Sequence, residues 1–283
     1  MSKVWLCLVL AFPVIFAAAP GRADDSPEWT RCTTQPSSDT DNDAVVAACT
    51  SVLDAAKEPP HRLAVAAFDR GIVNARLGQD DKARADNDAA LRYDPQFARA
   101  RVLRGDRAVA DDKFEAAIAD FDQAIATDPK LVDAYFGRAL ALAAASKIDA
   151  SIKDYQKVIE LDPKHEGAYV GLGFEYRDKG QPDRAIASFG KAIELDPKDA
   201  QAIFNRGWIY SDQNQLDRAI ADYNAAIEIQ PNDAKALFMR GLAYRDTGKT
   251  DEALADLEAA VRADPKFDAA VKMRDELRTK RSR

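Results

Sequence analysis

Residues 166–199 read EGAYVGLGFEYRDKGQPDRAIASFGKAIELDPKD, and two apolar stripes run through them. Tyr169, Leu172, Gly173 and Tyr176 recur at helical spacing, and Ala185, Ile186, Phe189, Ala192 and Ile193 do so again after a break. Gly180 and Gln181-Pro182 make the break. Asp196-Pro197 ends the second stripe, because proline lacks the amide hydrogen and turns the residue before it away from helical geometry. The segment is expected to be two amphipathic helices joined by a tight turn.

The same unit extends in both directions with a period of 34 residues that never slips. Asp-Pro or Gln-Pro recurs at Pro95, Pro129, Pro163, Pro197, Pro231 and Pro265. In the same register stand Gly71, Gly105, Ala139, Gly173, Gly207 and Gly241, and further on Ala83, Ala117, Ser151, Ala185, Ala219 and Ala253. Small residues at fixed places let helices approach closely. Tyr169, Leu172, Gly173, Tyr176, Gly180, Ala185, Phe189, Ala192 and Pro197 together resemble the signature of the tetratricopeptide repeat, a 34-residue helix–turn–helix unit. The resemblance covers six units, 64–97, 98–131, 132–165, 166–199, 200–233 and 234–267. It implies an all-α fold, a right-handed superhelical solenoid of antiparallel helix pairs, with a concave groove lined by the first helix of each pair. Residues 98–165 depart most, with Arg101, Ala108, Ala139, Leu142 and Ser151 at signature places.

One departure is systematic. The signature leucine is replaced by Arg70, Arg104, Arg138, Arg206 and Arg240, and sixteen residues after each stands Asp86, Asp120, Asp154, Asp222 or Asp256. The unit that keeps Leu172 has Ser188 instead of the aspartate. Residues that come and go together are expected to meet across the helix pair as partly buried bidentate ion pairs. The alternative is a row of arginines for an anionic ligand.

A stack of repeats needs capping at both ends. Residues 268–283 supply one cap, a helix over 268–280 with Ala269, Ala270, Met273 and Leu277 inward, followed by a basic tail. Residues 24–63 supply the other, with a helix from Asp41 or Asp43 to about Lys57 that reads as the second helix of a degraded repeat.

Residues 1–23 read as a signal peptide: Lys3, an apolar run from Val4 to Ala19, and Gly21-Arg22-Ala23 before the cleavage point. The apolar run is short of the ~20 residues that span a bilayer, which argues against the alternative of an uncleaved anchor. Leu6 stands where a small residue would precede a lipidated Cys7, so lipidation is not expected. Cleavage leaves Cys32 and Cys49 as an isolated pair in an oxidising compartment, where a single disulfide is expected, two buried free thiols being the alternative. The pairing of Trp29-x-x-Cys32 with Ala48-Cys49 before such repeats loosely resembles a group of exported bacterial proteins. The expected location is the periplasm or the exterior.

Of 283 residues, 31% are charged and 47% apolar, which suits a soluble chain with a real core. The net charge of −7, falling to −9 without Lys3 and Arg22, repels phosphate backbones and makes nucleic acid an improbable ligand. No phosphate loop, nucleophile elbow, H-E-x-x-H or calcium loop occurs, so neither catalysis, metal nor cofactor is expected. His61 beside Pro59-Pro60 and His165 after Asp162-Pro163-Lys164 read as surface loop histidines.

The family resemblance places groove residues at the fifth and ninth positions of each unit. The fifth are Phe68, Val102, Phe136, Val170, Phe204 and Phe238; the ninth are Ile72, Asp106, Leu140, Phe174, Trp208 and Leu242. All but Asp106 are apolar, and Asn205, Arg177 and Arg245 stand near them. Repeat modules that hold a C-terminal carboxylate use Lys and Asn at these two places, and neither occurs here. The expected function is a non-enzymatic adaptor of the cell envelope that binds a peptide or helix of another protein in an apolar groove, with no stable membrane insertion after cleavage. The alternatives are a self-associating structural solenoid, and a small-molecule carrier or enzyme whose site is not visible in the motifs.

Overall fold

The computed structural model describes residues 26–34 and 39–281, so the expected signal peptide lies outside the described residues. These residues form fifteen helices and no strand, an all-α repeat fold. A short α1 (Pro27–Cys32) and α2 (Asp39–Ala55) precede the repeats. The helices of the repeats are α3 (Pro60–Arg76), α4 (Asp80–Tyr93), α5 (Ala98–Ala110), α6 (Phe114–Thr127), α7 (Val132–Ala144), α8 (Ile148–Leu161), α9 (Glu166–Asp178), α10 (Pro182–Leu195), α11 (Ala200–Asp212), α12 (Leu216–Ile229), α13 (Ala234–Asp246) and α14 (Thr250–Ala263), and α15 (Asp268–Arg281) follows. They fall into two compact units, one ending at Lys147 and one beginning at Ile148.

Each turn is written in the sequence. The fifteenth residue of every repeat has positive φ: Gly78, Gly180 and Gly248, and also Asp112, Ser146 and Asn214. Here the chain needs the left-handed region that glycine enters without steric cost. The amide after it reaches back to close the helix, as Gln181 N donates to the Tyr176 carbonyl at 2.8 Å. At the other turn an aspartate precedes the proline because its carboxylate accepts an amide two residues on: Lys198 N donates to Asp196 Oδ1 at 2.9 Å, and Asp94, Asp128, Asp162 and Asp264 do the same.

Rings set against glycines form the core. In the first unit the fully buried Phe121 ring lies where a side chain on either Gly105 or Gly137 would have to be, with an added Cβ only 2.8 and 2.5 Å from it. In the second unit Tyr155 lies over Gly171 and Phe189 over Gly173 in the same way, and an added Cβ on Gly207 would stand 3.0 Å from Asp222 Cβ and 3.1 Å from the Tyr223 ring. The twenty-fourth residue of the four middle repeats is therefore an aromatic plug with glycines as its seat, while the first and last repeats have Asn87 and Leu257 at this place.

The arginines bind as well as pack. Arg70, Arg104, Arg206 and Arg240 each grip the aspartate sixteen residues on through Nε and Nη2, at 2.6–3.1 Å. In each of these pairs the carboxylate holds its guanidinium between the two helices of one repeat; for Arg104, Arg206 and Arg240 the hydrogen bond raises the guanidinium pKa further. Several also reach the preceding helix: Arg70 Nη1 donates to Thr50 on α2 at 3.0 Å, Arg138 Nη1 to Asp122 on α6 at 2.5 Å, and Arg240 Nη1 to Asn224 on α12 at 2.7 Å. Asp154 is buried, and in the unit without an arginine Leu172 is buried while Ser188 Oγ donates to the Arg184 carbonyl.

Gly190 occupies the place of Asp122 and Asn224. A Cβ added there would lie 3.7 Å from Arg206 Nη1, an ordinary contact. Gly190→Asp should therefore give Arg206 a backward partner while removing a glycine from mid-helix, raising stability by about 1 kcal/mol. The denaturation midpoint measures the gain, and Gly190→Ala isolates the part due to helix propensity.

At the ends, Cys32 and Cys49 stand with Cα atoms 4.7 Å apart and their sulfurs at bonding distance, tying α1 to α2. Trp29 is buried beneath the Arg62 guanidinium, 3.8 Å from its ring centroid. At the other end α15 buries Ala270 and Leu277 and leaves Lys272, Asp275, Glu276 and Thr279 exposed.

Candidate functional site

Burial divides the twelve groove positions. In the first unit Phe68, Ile72 and Val102 are buried, with Phe68 edge-on to Phe97 at 5.2 Å, while Phe136 and Leu140 are half-buried. In the second unit Phe174 is buried edge-on to Phe189 at 5.1 Å, and Phe204 and Phe238 are half-buried beside Tyr223 and Phe267. Val170 and Leu242 are half-buried, and Asn205 is buried. The rings of Phe68, Phe204 and Phe238 thus reach the second helix of their own repeat or the aromatic at its end, which binds them to the core. Sequence pattern alone misses this, because the period that marks a groove also marks a helix packed against its neighbours.

Trp208 stands apart, with 37% of its surface exposed. The Arg177 guanidinium lies between α9 and α11, 4.9 Å from the Phe174 ring centroid and 5.6 Å from that of Trp208. Asp178 accepts from Arg177 Nε at 2.9 Å and Asn205 Oδ1 from Nη1 at 3.5 Å, so the cation is held with part of its donor set still unengaged. Asn205 Nδ2 is tied to the Gln201 carbonyl at 2.7 Å. On α13, Arg245 repeats the motif, with Nε on Asp246 and Nη1 on the Met273 sulfur at 3.2 Å. The result is an exposed indole flanked by a positioned guanidinium, a surface suited to an apolar side chain and to backbone carbonyls beside it.

His61 is helical rather than in a loop, whereas His165 stands in the turn before α9 as expected. His61 lies in the first turn of α3, where its Nδ1 is 2.6 Å from Asp94 Oδ2 and its ring is edge-on to Phe97. His165 caps α9, its Nδ1 accepting from Ala168 N at 3.2 Å. Both roles are structural. Among the described residues, no group of three or more His, Cys, Asp or Glu is placed to hold a metal ion, and no helix is long and apolar enough to cross a membrane.

Among the described residues four carboxyls have raised pKa values, each chiefly through burial. Asp69 is pushed up to about 8, against the pull of Arg99, and Asp106 to about 7 with Asp133 adding to the effect. Glu175 rises to about 7 with help from Asp178, and Glu166 to about 7 beside Asp199. A carboxyl that is harder to ionise when folded favours folding while both states are protonated, and that advantage is lost as pH rises through the folded pKa. The melting temperature should therefore fall by several degrees between pH 5.5 and 8.5. An increase over that range in calorimetry would overturn this reading of the buried acids.

A model of the tetratricopeptide repeat matches residues 102–166, 171–234 and 210–266, more than half of the chain. The chain belongs to the tetratricopeptide repeat family, whose members are generally non-enzymatic scaffolds for protein interaction. Among solved structures it is similar to YrrB, described as a TPR protein with an unusual peptide-binding site, at 21% identity over 67% of this chain and 97% of that one, with a TM-score of 0.58. MamA is 26% identical over 58% of this chain and 96% of its own, with a TM-score of 0.55. The pilF protein of Pseudomonas aeruginosa is 15% identical over 77% of this chain and all of its own, with a TM-score of 0.67. No curated protein matches the chain.

Proposed function

We propose that the protein is an exported adaptor that binds an extended or helical segment of a partner protein on the first-helix face of its second unit, around Trp208. The exposed indole beside Arg177 carries this reading: an aromatic and an arginine are the residue types that dominate binding energy at protein interfaces, and here neither is spent on the core. YrrB lends an example of a peptide site on this fold. The polar outer face of α15 counts against end-to-end stacking at that terminus.

A photo-reactive amino acid at position 208 should cross-link a partner in the native envelope, while the same group at Asp217 on α12 should not. Once that partner is in hand, Trp208→Ala should weaken binding at least tenfold with the fold intact by circular dichroism. Capture only from position 217 would move the site to the second-helix face. Export is supported by the leader pattern and by the paired cysteines. Sequencing of the purified protein should find its N-terminus at Asp24, and recovery of an intact Met1 from the envelope would refute cleavage.

A further inference from the structure

We propose that α1 is a strap which only the Cys32–Cys49 bond holds shut, so that the oxidation state of this pair decides whether the face of α3 formed by Arg62 and Ala66 is covered or open. The strap is weak by itself. It is six residues long and buries two side chains, Trp29 and Cys32. A helix of one and a half turns does not persist alone, and ordering its backbone costs more than burying a single indole returns. Its cap is internal, with Ser26 Oγ accepting from Trp29 N at 3.1 Å, and so is the Thr33 Oγ1 bond to the Trp29 carbonyl. Besides the disulfide it is tied to the rest of the protein by the Trp29–Arg62 stack and by the packing of Trp29 and Cys32 on the apolar side chains of α2 and α3.

The helices beneath do not depend on it. Val45, Ala48 and Val52 of α2 join Ala64, Val65, Phe68 and Val73 of α3 in one core, and Arg70 bonds both Thr50 and Asp86. Arg62 and Ala66 stand four residues apart and share a face of α3. The strap lies on that face, with Cys32 Sγ 4.0 Å from the Ala66 carbonyl oxygen and Trp29 under Arg62.

Opening consumes a dithiol donor. One of its thiolates attacks a cysteine sulfur and the second displaces the mixed disulfide; Cys32 and Cys49 take up two electrons and two protons to become thiols, and the donor leaves as its own disulfide. Closing transfers the same two electrons and protons to a disulfide oxidant. Both sulfurs are fully buried in the closed state, so reduction waits for the strap to fray.

The test is hydrogen exchange followed by mass spectrometry on the chain from Asp24 to Arg283, oxidised in vitro and then reduced with dithiothreitol, beside a Cys32→Ser/Cys49→Ser variant. Amides over 28–33 should lose protection at least tenfold in both reduced samples, while α4–α6 and the second unit keep theirs. Unchanged protection over 28–33 would show that non-covalent contacts suffice, and loss across α2–α6 would make the bond a general staple; either overturns the strap. Reduced wild type serves if the serine variant fails to fold. The in vitro oxidation makes the outcome independent of the export reading, which is tested separately by the N-terminus of the native protein.

Discussion

Phe121→Ala is expected to lower the unfolding free energy by about 4 kcal/mol, the largest effect of any single change considered for this protein. The ring is fully buried and fills the space that Gly105 and Gly137 leave open on two neighbouring first helices. Its removal opens a cavity that those glycines, having no side chains, cannot close. Phe121→Leu should cost far less, because most of the volume is kept. The reciprocal change, Gly137→Ala, puts a methyl 2.5 Å from the ring and should destabilise by about 1–3 kcal/mol through overpacking. In Phe121→Leu the penalty of Gly137→Ala should shrink, since the new methyl has space. Urea titration of the four variants decides the matter: additive losses would mean that ring and glycine are not in contact.

The second large effect concerns an ion pair. Asp222→Leu should cost about 3 kcal/mol, because Arg206 loses its bidentate partner while three-quarters of its side chain remains covered. The double variant Arg206→Leu/Asp222→Leu should recover most of that loss and is expected to approach the wild type, since it recreates the apolar arrangement of the unit with Leu172, itself buried. If the single and double variants were equally unstable, the pair would contribute nothing as a pair and its recurrence would need another explanation.

Much of this was legible in the sequence because the repeat samples each position six times. Covariation of arginine with aspartate within one chain identified Arg70–Asp86, Arg104–Asp120, Arg206–Asp222 and Arg240–Asp256, which the structure joins. The backward bonds to Thr50, Asp122 and Asn224 escaped notice because the acceptors differ in chemistry from unit to unit and present no constant letter. The helix ends fell close to expectation, since Asp-Pro and the left-handed fifteenth residue are local signals; α3 starts earlier, at Pro60, and so takes in His61. The groove was the least legible part. Phe174 and Trp208 hold the same ninth place, yet one is edge-on to Phe189 and the other exposed. That difference depends on neighbouring side chains that periodicity does not encode.

The arginine that bonds both forward and backward also governs which changes of length the chain tolerates. A copied block of 34 residues would bring its own arginine to a second helix already carrying the acceptor, so the array lengthens with its bonding intact. One residue added inside a first helix would rotate everything beyond it by about 100° and take an arginine from both partners at once. Insertions within a repeat are therefore confined to the turns, and the copy number of whole repeats is the dimension along which this architecture changes most freely.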